Sequence, residues 1–299
     1  MIERTSRPPW MEQATLPERI GKAIVLTLVA IVVIYPFITV VATSLATEAE
    51  ITRNGGLILI WPTQMSLSAY RTIFTGGIVT KSVLVSIGIT TIGTILSLVT
   101  TIGLAYALSR PIIFGRAILA MSLLTLLFVP GIIPNYLAVK QLGLLNTYSA
   151  LILPVMISAF NLVVMRQFFM GIPQELIDSA RMDGAGDFRI LTKIVLPLSG
   201  AVIAVVALFY AVAYWNAFFN ALLYLNDNSM YPLQLVLRNY VLQRAPLPGA
   251  MVAGDESGAP PAEAMHMAVL VVALVPVMIV YPFLQRYFTR GVLTGAIKG

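Results

Sequence analysis

The chain has 299 residues, of which 58% are hydrophobic and only 11% charged, and its mean hydropathy is +0.88. Soluble domains carry roughly 25% charged residues, so the composition excludes an ordinary soluble protein. The chain has no cysteine, which excludes disulfides, thiolate catalysis and cysteine-ligated metal, and its net charge of +6 does not form a basic patch with interleaved aromatic residues. We therefore expect an integral membrane protein that binds lipid and no nucleic acid.

Six segments are long and apolar enough to cross a bilayer, whose core takes about 20 residues of helix. They are residues 23–45, 82–108, 117–139, 149–170, 199–225 and 267–285. The first could be a secretion signal, but its apolar run exceeds the roughly 7–15 residues of such a segment. The sequence thus predicts an all-α polytopic protein, with a tail at residues 1–22 and a transmembrane domain at residues 23–299.

The basic residues predict the orientation of these spans. With the N-terminus in the cytoplasm, the inside segments hold 13 of the 19 Lys and Arg residues and the outside segments hold 6. Both termini are therefore expected in the cytoplasm. The long outside loops are then residues 46–81 and 226–266, and the second is expected to contain a short helix near residues 231–243.

A polar stretch of the inside, residues 172–198, separates the fourth and fifth spans. Pro173 is suited to a helix start, with Glu175 in the first turn, and Asp183-Gly184 predicts the turn that ends this helix. A second amphipathic piece follows, with Phe188, Leu191 and Ile194 on one predicted face. Such a helix could dock into a cytoplasmic partner, or it could only tie two spans together at the interface. The residues alone leave both readings open.

Residues 172–197 resemble the EAA loop of ABC importer permeases, whose pattern is E-A-A, D-G-A and then I-x-L-P. The matching positions are Asp178-Ser179-Ala180, Asp183-Gly184-Ala185 and Ile194-Val195-Leu196-Pro197, where Asp178 and Ser179 differ from the pattern. The resemblance implies a coupling helix that seats in a cleft of an ATP-binding subunit. The coupling residues it implies are Glu175, Asp178, Ser179, Ala180, Arg181, Met182, Asp183 and Gly184.

From about residue 80 to the C-terminus, the chain resembles the maltose-type carbohydrate-uptake permeases, and three stretches resemble the subgroup for complex oligosaccharides. They are GLLNTYSALILP, FNLVVMRQFF and FYAVAYWNAFFNALLYLND. The resemblance implies the type I importer fold in a bacterial cytoplasmic membrane. It also implies a heterodimer with a second homologous permease, two ATP-binding subunits and an extracytoplasmic solute-binding protein.

Other functional classes find less support in the residues. No G-x-x-x-x-G-K-[ST] stretch occurs, so ATP and Mg are expected on partner subunits and no cofactor on this chain. No acidic residue lies in the six segments, which disfavours an ion-coupled secondary transporter. The single histidine, His266, has no clustered ligands. We expect no catalytic residue and no metal site.

The fifth span combines aromatic faces with amides, which suits a sugar ring and its hydroxyls. The candidate pathway residues are Tyr210, Tyr214, Trp215, Asn216, Phe219 and Asn220. An aromatic belt or a bundle core is the alternative for each of them. A carbohydrate is favoured as substrate because the spans offer no fixed charge for an ion, and another solute class remains the alternative.

Overall fold

The computed structural model describes residues 15–57, 60–75, 77–243 and 262–296, and nearly all of them are helical. The α-helices are α1 (Leu16–Ser44), α2 (Glu48–Arg53), α3 (Ser68–Thr75), α4 (Ile78–Leu108), α5 (Gly115–Leu127), α6 (Ile132–Gln141), α7 (Ser149–Ile152), α8 (Ala159–Met170), α9 (Gln174–Met182), α10 (Asp187–Ile190), α11 (Leu196–Leu198), α12 (Gly200–Trp215), α13 (Phe218–Tyr224), α14 (Leu233–Gln243) and α15 (Ala262–Ala296). Short 3₁₀ turns lie at Leu153–Val155 and Asn228–Met230, and a π-helical turn at Leu191–Val195 joins α10 to α11. Within these residues, β structure is limited to one bridge between Ala46 and Met65. The predicted all-α class is confirmed.

In the described part of the chain, three helices are continuous and apolar over a bilayer-spanning length: α1, α4 and the Ala262–Pro282 part of α15. Two bent helix pairs also reach a bilayer-spanning length and are either broken spans or re-entrant loops, one with 52° between Ser149–Val155 and α8, the other with 84° between Asp187–Leu198 and α12. The third predicted span, residues 117–139, is divided into α5 and α6. The number of spans therefore stays a prediction.

The division of the third span has a local cause. Pro130 has no backbone N–H to donate, and Gly131 has a φ of +84°, which a helix cannot accommodate. In a membrane such a break requires a neighbouring helix or a watery cavity to satisfy the freed backbone groups. Breaks in the predicted spans therefore mark positions where the chain borders something other than lipid tails.

One structural unit comprises residues 1–70 and 260–268. Its helix α1 is exposed over most of its length and buries Ala42, Thr43 and Ser44 near its end. The hydroxyls of Ser44 and Tyr70 lie 2.7 Å apart in a hydrogen bond. The predicted outside loop at residues 46–81 contains the short helix α2, which sequence reasoning missed.

The other unit comprises residues 71–259 and 269–299, and its centre is the pairing of α4 with α12. Small residues of α4 make this pairing close, because the Tyr214 ring lies only 2.8 Å from where a Cβ on Gly93 would stand. Farther along α4, the hydroxyl of Thr101 lies 2.8 Å from that of Tyr210. These small residues of α4 therefore pack against α12 of the same chain.

Candidate functional site

Helix α9 forms the first half of the predicted coupling loop and begins directly after Pro173. Glu175 lies in its first turn, where the positive end of the helix dipole stabilises its carboxylate. Ile177 is buried and anchors the helix, Ala180 is partly buried against the core, and the other predicted coupling residues are exposed. The side-chain amide of Gln174 donates to Asp178 at 3.1 Å, and the Ser179 hydroxyl donates to the Leu176 carbonyl.

Gly184 ends α9 in a left-handed conformation with a φ of +80°. Its N–H donates to the Arg181 carbonyl at 3.0 Å, and the N–H of Ala185 donates to the Ala180 carbonyl at 2.9 Å. These two bonds make a Schellman cap, which requires a residue that tolerates positive φ after the helix. The D-G-A sequence is thus the physical stop signal of α9, where the Asp-Gly pair predicted a turn.

The outer surface of the loop presents large apolar side chains. Met182 is 86% exposed and Phe188 is 79% exposed, and Arg181 forms an exposed ion pair with Asp187 at 3.5 Å. Of the three apolar residues predicted to share one face, Phe188 is exposed, whereas Leu191 and Ile194 are partly buried. Ile190 and Val195 are buried instead, because the π-helical turn shifts the helical register between them.

Tyr106 and Arg110, which sequence reasoning missed, join the loop to the end of α4. The Tyr106 hydroxyl donates to the Asp187 carbonyl at 3.2 Å, and an Arg110 guanidinium N–H donates to the Tyr106 hydroxyl at 3.1 Å. The guanidinium carbon lies 4.9 Å from the centre of the Tyr106 ring. A small cavity of about 120 Å³ beside this contact is lined by Ile177 and Val195 from the loop. The loop is therefore bonded to the helix bundle at its second half.

Three predicted pathway residues are buried and bonded within the bundle. Tyr214 shares a hydrogen bond of 2.8 Å with Ser97, and Tyr210 shares one with Thr101 and accepts another from the Ser158 N–H at 3.0 Å. The Trp215 indole N–H donates to the Ala273 carbonyl at 3.2 Å, three residues before Pro276. Their polar atoms thus hold helices together.

The other three, Asn216, Phe219 and Asn220, lie where the fifth predicted span breaks. Helix α12 ends at Trp215 and α13 begins at Phe218. The Asn216 side-chain amide is exposed and donates to the Val212 carbonyl at 2.9 Å, and Phe219 is 42% exposed. Asn220 is partly buried. The structure therefore separates the predicted pathway set into buried and accessible members.

A second broken span brings an unpredicted amide to the same region of α12. Between the Leu153–Val155 turn and α8, the chain opens a pocket of about 350 Å³ lined by Ser158, Asn161, Tyr210 and Tyr214. Asn161 is only 4% exposed, and no group in the described part of the chain hydrogen-bonds its side-chain amide. Burying an unbonded amide is costly, so this side chain is available for a partner in the pocket.

An aromatic pair stands at this pocket. The rings of Phe160 and Phe209 are 6.0 Å apart with a tilt of 50°, and the side chains are 54% and 40% exposed. The pocket thus combines exposed aromatic faces, which stack on sugar C–H surfaces, with an amide that both donates and accepts. The sequence signal for Asn161 was an amide in an otherwise apolar span.

Comparison with known proteins identifies a family whose sequences this chain matches. The profile of binding-protein-dependent transport system inner membrane components matches residues 90–294. The polygalacturonan/rhamnogalacturonan transport system permease protein YtcP of Bacillus subtilis (strain 168) is 45% identical, over 92% of this chain and 96% of that protein. Protein LplC of the same organism is 43% identical, over 91% of each.

A solved structure resembles the whole fold. It is a bacterial ABC transporter involved in the import of the acidic polysaccharide alginate, and one of its chains matches with a TM-score of 0.86 and 30% identity. The match covers 93% of this chain and all of that chain. The bends and breaks described above therefore occur within a fold already seen in an importer.

Proposed function

Since the chain belongs to the family of binding-protein-dependent transport system inner membrane components, we propose that it is the permease subunit of an ATP-driven importer of oligosaccharides rich in uronic acids. The observation that carries the substrate class is the 45% identity to a permease for polygalacturonan and rhamnogalacturonan, which extends over nearly the full length of both chains. The structural relative from an alginate importer agrees with it, because alginate is also an acidic polysaccharide.

The partners of the proposed importer are a second permease, two ATP-binding subunits and an extracytoplasmic solute-binding protein. The family description names a binding protein, and the chain itself contains no phosphate-binding G-x-x-x-x-G-K-[ST] stretch. ATP and Mg are then used by the ATP-binding subunits. This chain contributes one half of the pathway in the bacterial cytoplasmic membrane, with both termini on the cytoplasmic side.

Coupling to ATP hydrolysis is assigned to α9 and its Schellman cap. The exposed Met182 and Leu176 supply apolar anchors for a groove on the ATP-binding subunit. Glu175, Asp178, Arg181 and Asp183 supply charges around them, and Ser179, Ala180 and Gly184 complete the contact surface. The Tyr106 contact with Asp187 then carries movement of the loop to α4.

The sugar pathway is assigned to the breaks of the fourth and fifth predicted spans. Asn161, Asn216 and Asn220 supply amides, and Phe160, Phe209 and Phe219 supply accessible aromatic faces. Tyr210 and Tyr214 line the pocket beside Asn161, and Trp215 supports α12 from behind. Neutral amides can bond both hydroxyls and carboxylates of a uronate, so no fixed positive charge is required within the spans.

The experiment is reconstitution of the complete importer in vesicles with its binding protein. Galacturonan and rhamnogalacturonan oligosaccharides should enter the vesicles and stimulate ATP hydrolysis, and neutral arabino-oligosaccharides should do both more weakly. Stimulation by the neutral sugars alone would overturn the acidic substrate class. If no oligosaccharide is transported by an importer that still hydrolyses ATP, the carbohydrate assignment is wrong.

A further inference from the structure

Three arginines line an open pocket at the C-terminal end of α4, near the contact between α4 and the predicted coupling loop. The pocket has a volume of about 670 Å³ and is lined by Arg110 after α4, Arg116 in the first turn of α5 and Arg166 of α8. Since α5 begins at this pocket, the positive end of its helix dipole adds to the three charges. The segment after α4 and the helices α5 and α8 therefore place positive charge at one site.

Among the described residues no carboxylate contacts these arginines directly, and Asp187 is linked to Arg110 only through the Tyr106 hydroxyl. None of the residues that line the pocket is acidic, and no carboxylate among the described residues forms an ion pair with Arg110, Arg116 or Arg166. Arg166 is held in place by its Nε–H, which donates to the Leu108 carbonyl at 2.8 Å. Its terminal N–H groups have no hydrogen-bond partner within the described chain. Guanidinium groups bind phosphate oxygens through two N–H bonds at once, so the free donors suit a phosphate group.

The loop at the edge of the pocket is strongly apolar and points outward. Ile113 is 84% exposed and Phe114 is 76% exposed. Phe114 also has a φ of +62°, a left-handed conformation that costs an aromatic residue roughly 1–2 kcal/mol. Strained residues of this kind are kept where a function uses their placement. An exposed aromatic and an exposed isoleucine beside arginines are typical of the boundary between lipid headgroups and acyl chains.

Helix α5 connects the pocket to the apolar phase. None of its residues is buried in the chain, although its sequence from Gly115 to Leu127 is apolar except for Arg116, Ser122 and Thr125. A molecule with a charged head in the arginine pocket could therefore lay a hydrocarbon tail along α5. An acidic surface of a soluble protein would match the arginines but not this apolar continuation.

From this combination we propose that the arginine pocket binds the phosphodiester headgroup of an anionic phospholipid, with its acyl chains along α5. Basic pockets between membrane helices bind such headgroups, and each basic residue near the surface is worth about fivefold in affinity. Arg110 also donates to the Tyr106 hydroxyl, which contacts Asp187 of the predicted coupling loop. A lipid bound to Arg110 would therefore be separated from the loop only by Tyr106. This inference does not depend on which sugar is transported.

The test is native mass spectrometry of the assembled importer, released from membranes that contain equal phosphatidylglycerol and phosphatidylcholine. The wild-type complex should retain phosphatidylglycerol preferentially. The double variant Arg110→Gln with Arg116→Gln should lower this retention by more than about tenfold. Arg19→Gln with Lys22→Gln, which removes the same charge from exposed positions of α1, should leave it unchanged. An equal loss of phosphatidylglycerol retention in both double variants would overturn the proposed site. It would show that the lipid is attracted only by the general positive charge of the protein.

Two further measurements distinguish a bound lipid from free phosphate and from a protein contact. Inorganic phosphate at millimolar concentration should not displace the bound lipid, and displacement would mean that the pocket takes free phosphate instead. If the double variant fails to assemble, Arg116→Gln alone applies, since this exposed side chain has no hydrogen bond within the described residues; about fivefold weaker retention is then expected. Loss of the ATP-binding subunits with unchanged lipid retention would overturn the proposal in favour of a protein contact.

Discussion

The hydroxyl of Tyr106 donates a hydrogen bond to the backbone carbonyl of Asp187 across 3.2 Å, although the two residues are 81 positions apart in the sequence. The bond joins the end of α4 to the first residue of α10, in the second half of the coupling loop. Because α4 pairs with α12 along the bundle, the proposed coupling mechanism passes a displacement of the loop through α4 to α12.

Tyr106→Phe removes this bond and keeps the ring. A neutral hydrogen bond contributes about 0.5–1.5 kcal/mol, so sugar imported per ATP hydrolysed should fall about two- to tenfold while the complex still assembles. Uptake and ATP hydrolysis measured on the same vesicles give this ratio. Tyr231→Phe is the control, since the structure shows no hydrogen bond from that partly buried hydroxyl to a described residue. An unchanged ratio in Tyr106→Phe would remove this bond from the coupling route.

Gly184→Ala should weaken binding of the ATP-binding subunits only by straining the backbone at the end of α9. No atom lies within 4 Å of the added methyl group, but the φ of +80° disfavours every residue with a Cβ by roughly 1 kcal/mol or more. Gly184→Asn should restore part of the loss because asparagine tolerates this conformation. Gly186→Ala is the matched control, with a φ of −74° and equally open space. Binding of the ATP-binding subunits to each variant is the measurement, and equal binding by both alanine variants would contradict the prediction.

The coupling loop could be predicted well because its signals are local. A proline, an acidic first turn and an Asp-Gly stop lie within a dozen residues, and each acts on the neighbouring backbone. The different exposure of Phe188, Leu191 and Ile194 could not be predicted, because the π-helical turn at Leu191–Val195 changes the helical period and no residue type announces such a turn. Tyr106 was missed because its partner in the loop is distant in sequence.

The spans were harder to predict for a different reason. Pro130 is visible in the sequence, but a proline in a membrane helix can produce either a kink or a complete break, and here Gly131 completes the break. Hydropathy also cannot say which face of an apolar helix is buried. Asn161 and Asn216 look alike in the sequence, yet the first is buried beside a pocket and the second bonds its own helix.

Gly93→Ala should destabilise the pairing of α4 with α12. The new methyl group would lie 2.8 Å from the Tyr214 ring, which the Ser97 hydrogen bond holds in place. Overpacking of this kind costs roughly 1–3 kcal/mol, so the midpoint of thermal unfolding in detergent should fall. Gly103→Ala on the same helix meets no atom within 4 Å and should leave the midpoint unchanged or slightly raised. A similar midpoint for both variants would mean that the ring moves freely.

Glu50 makes the loop after α1 sensitive to acid. Its carboxylate accepts bonds from the N–H and hydroxyl of Thr63 and from the Gln64 N–H, and the Thr63 N–H is the main cause that holds the pKa of Glu50 below its usual value of 4.5. A pKa lowered by folding stabilises the loop above the unfolded value, and that stability is lost as pH falls through the lowered pKa. Hydrogen exchange at the amides of Thr63 and Gln64, corrected for intrinsic rates, should accelerate below pH 4.5. In Glu50→Gln, these two amides should exchange faster at neutral pH and show no further acceleration at acid pH. If the acceleration below pH 4.5 persists in this variant, a group other than Glu50 causes it.

Asn161→Leu should separate sugar movement from ATP hydrolysis. Leucine fits an apolar helix and preserves folding, but it removes the free amide from the pocket beside Tyr210. A lost bond of about 0.5–1.5 kcal/mol should lower uptake several-fold and leave ATP hydrolysis stimulated by the loaded binding protein. Asn216→Leu and Asn220→Leu should lower uptake in the same way if the second break also borders the pathway. Gln167→Leu, on the exposed side of the same helix α8, is the control for loss of an amide. Full uptake in Asn161→Leu with normal assembly would place the pathway elsewhere, whereas parallel loss of assembly, uptake and ATP hydrolysis would show that Asn161 is a packing residue.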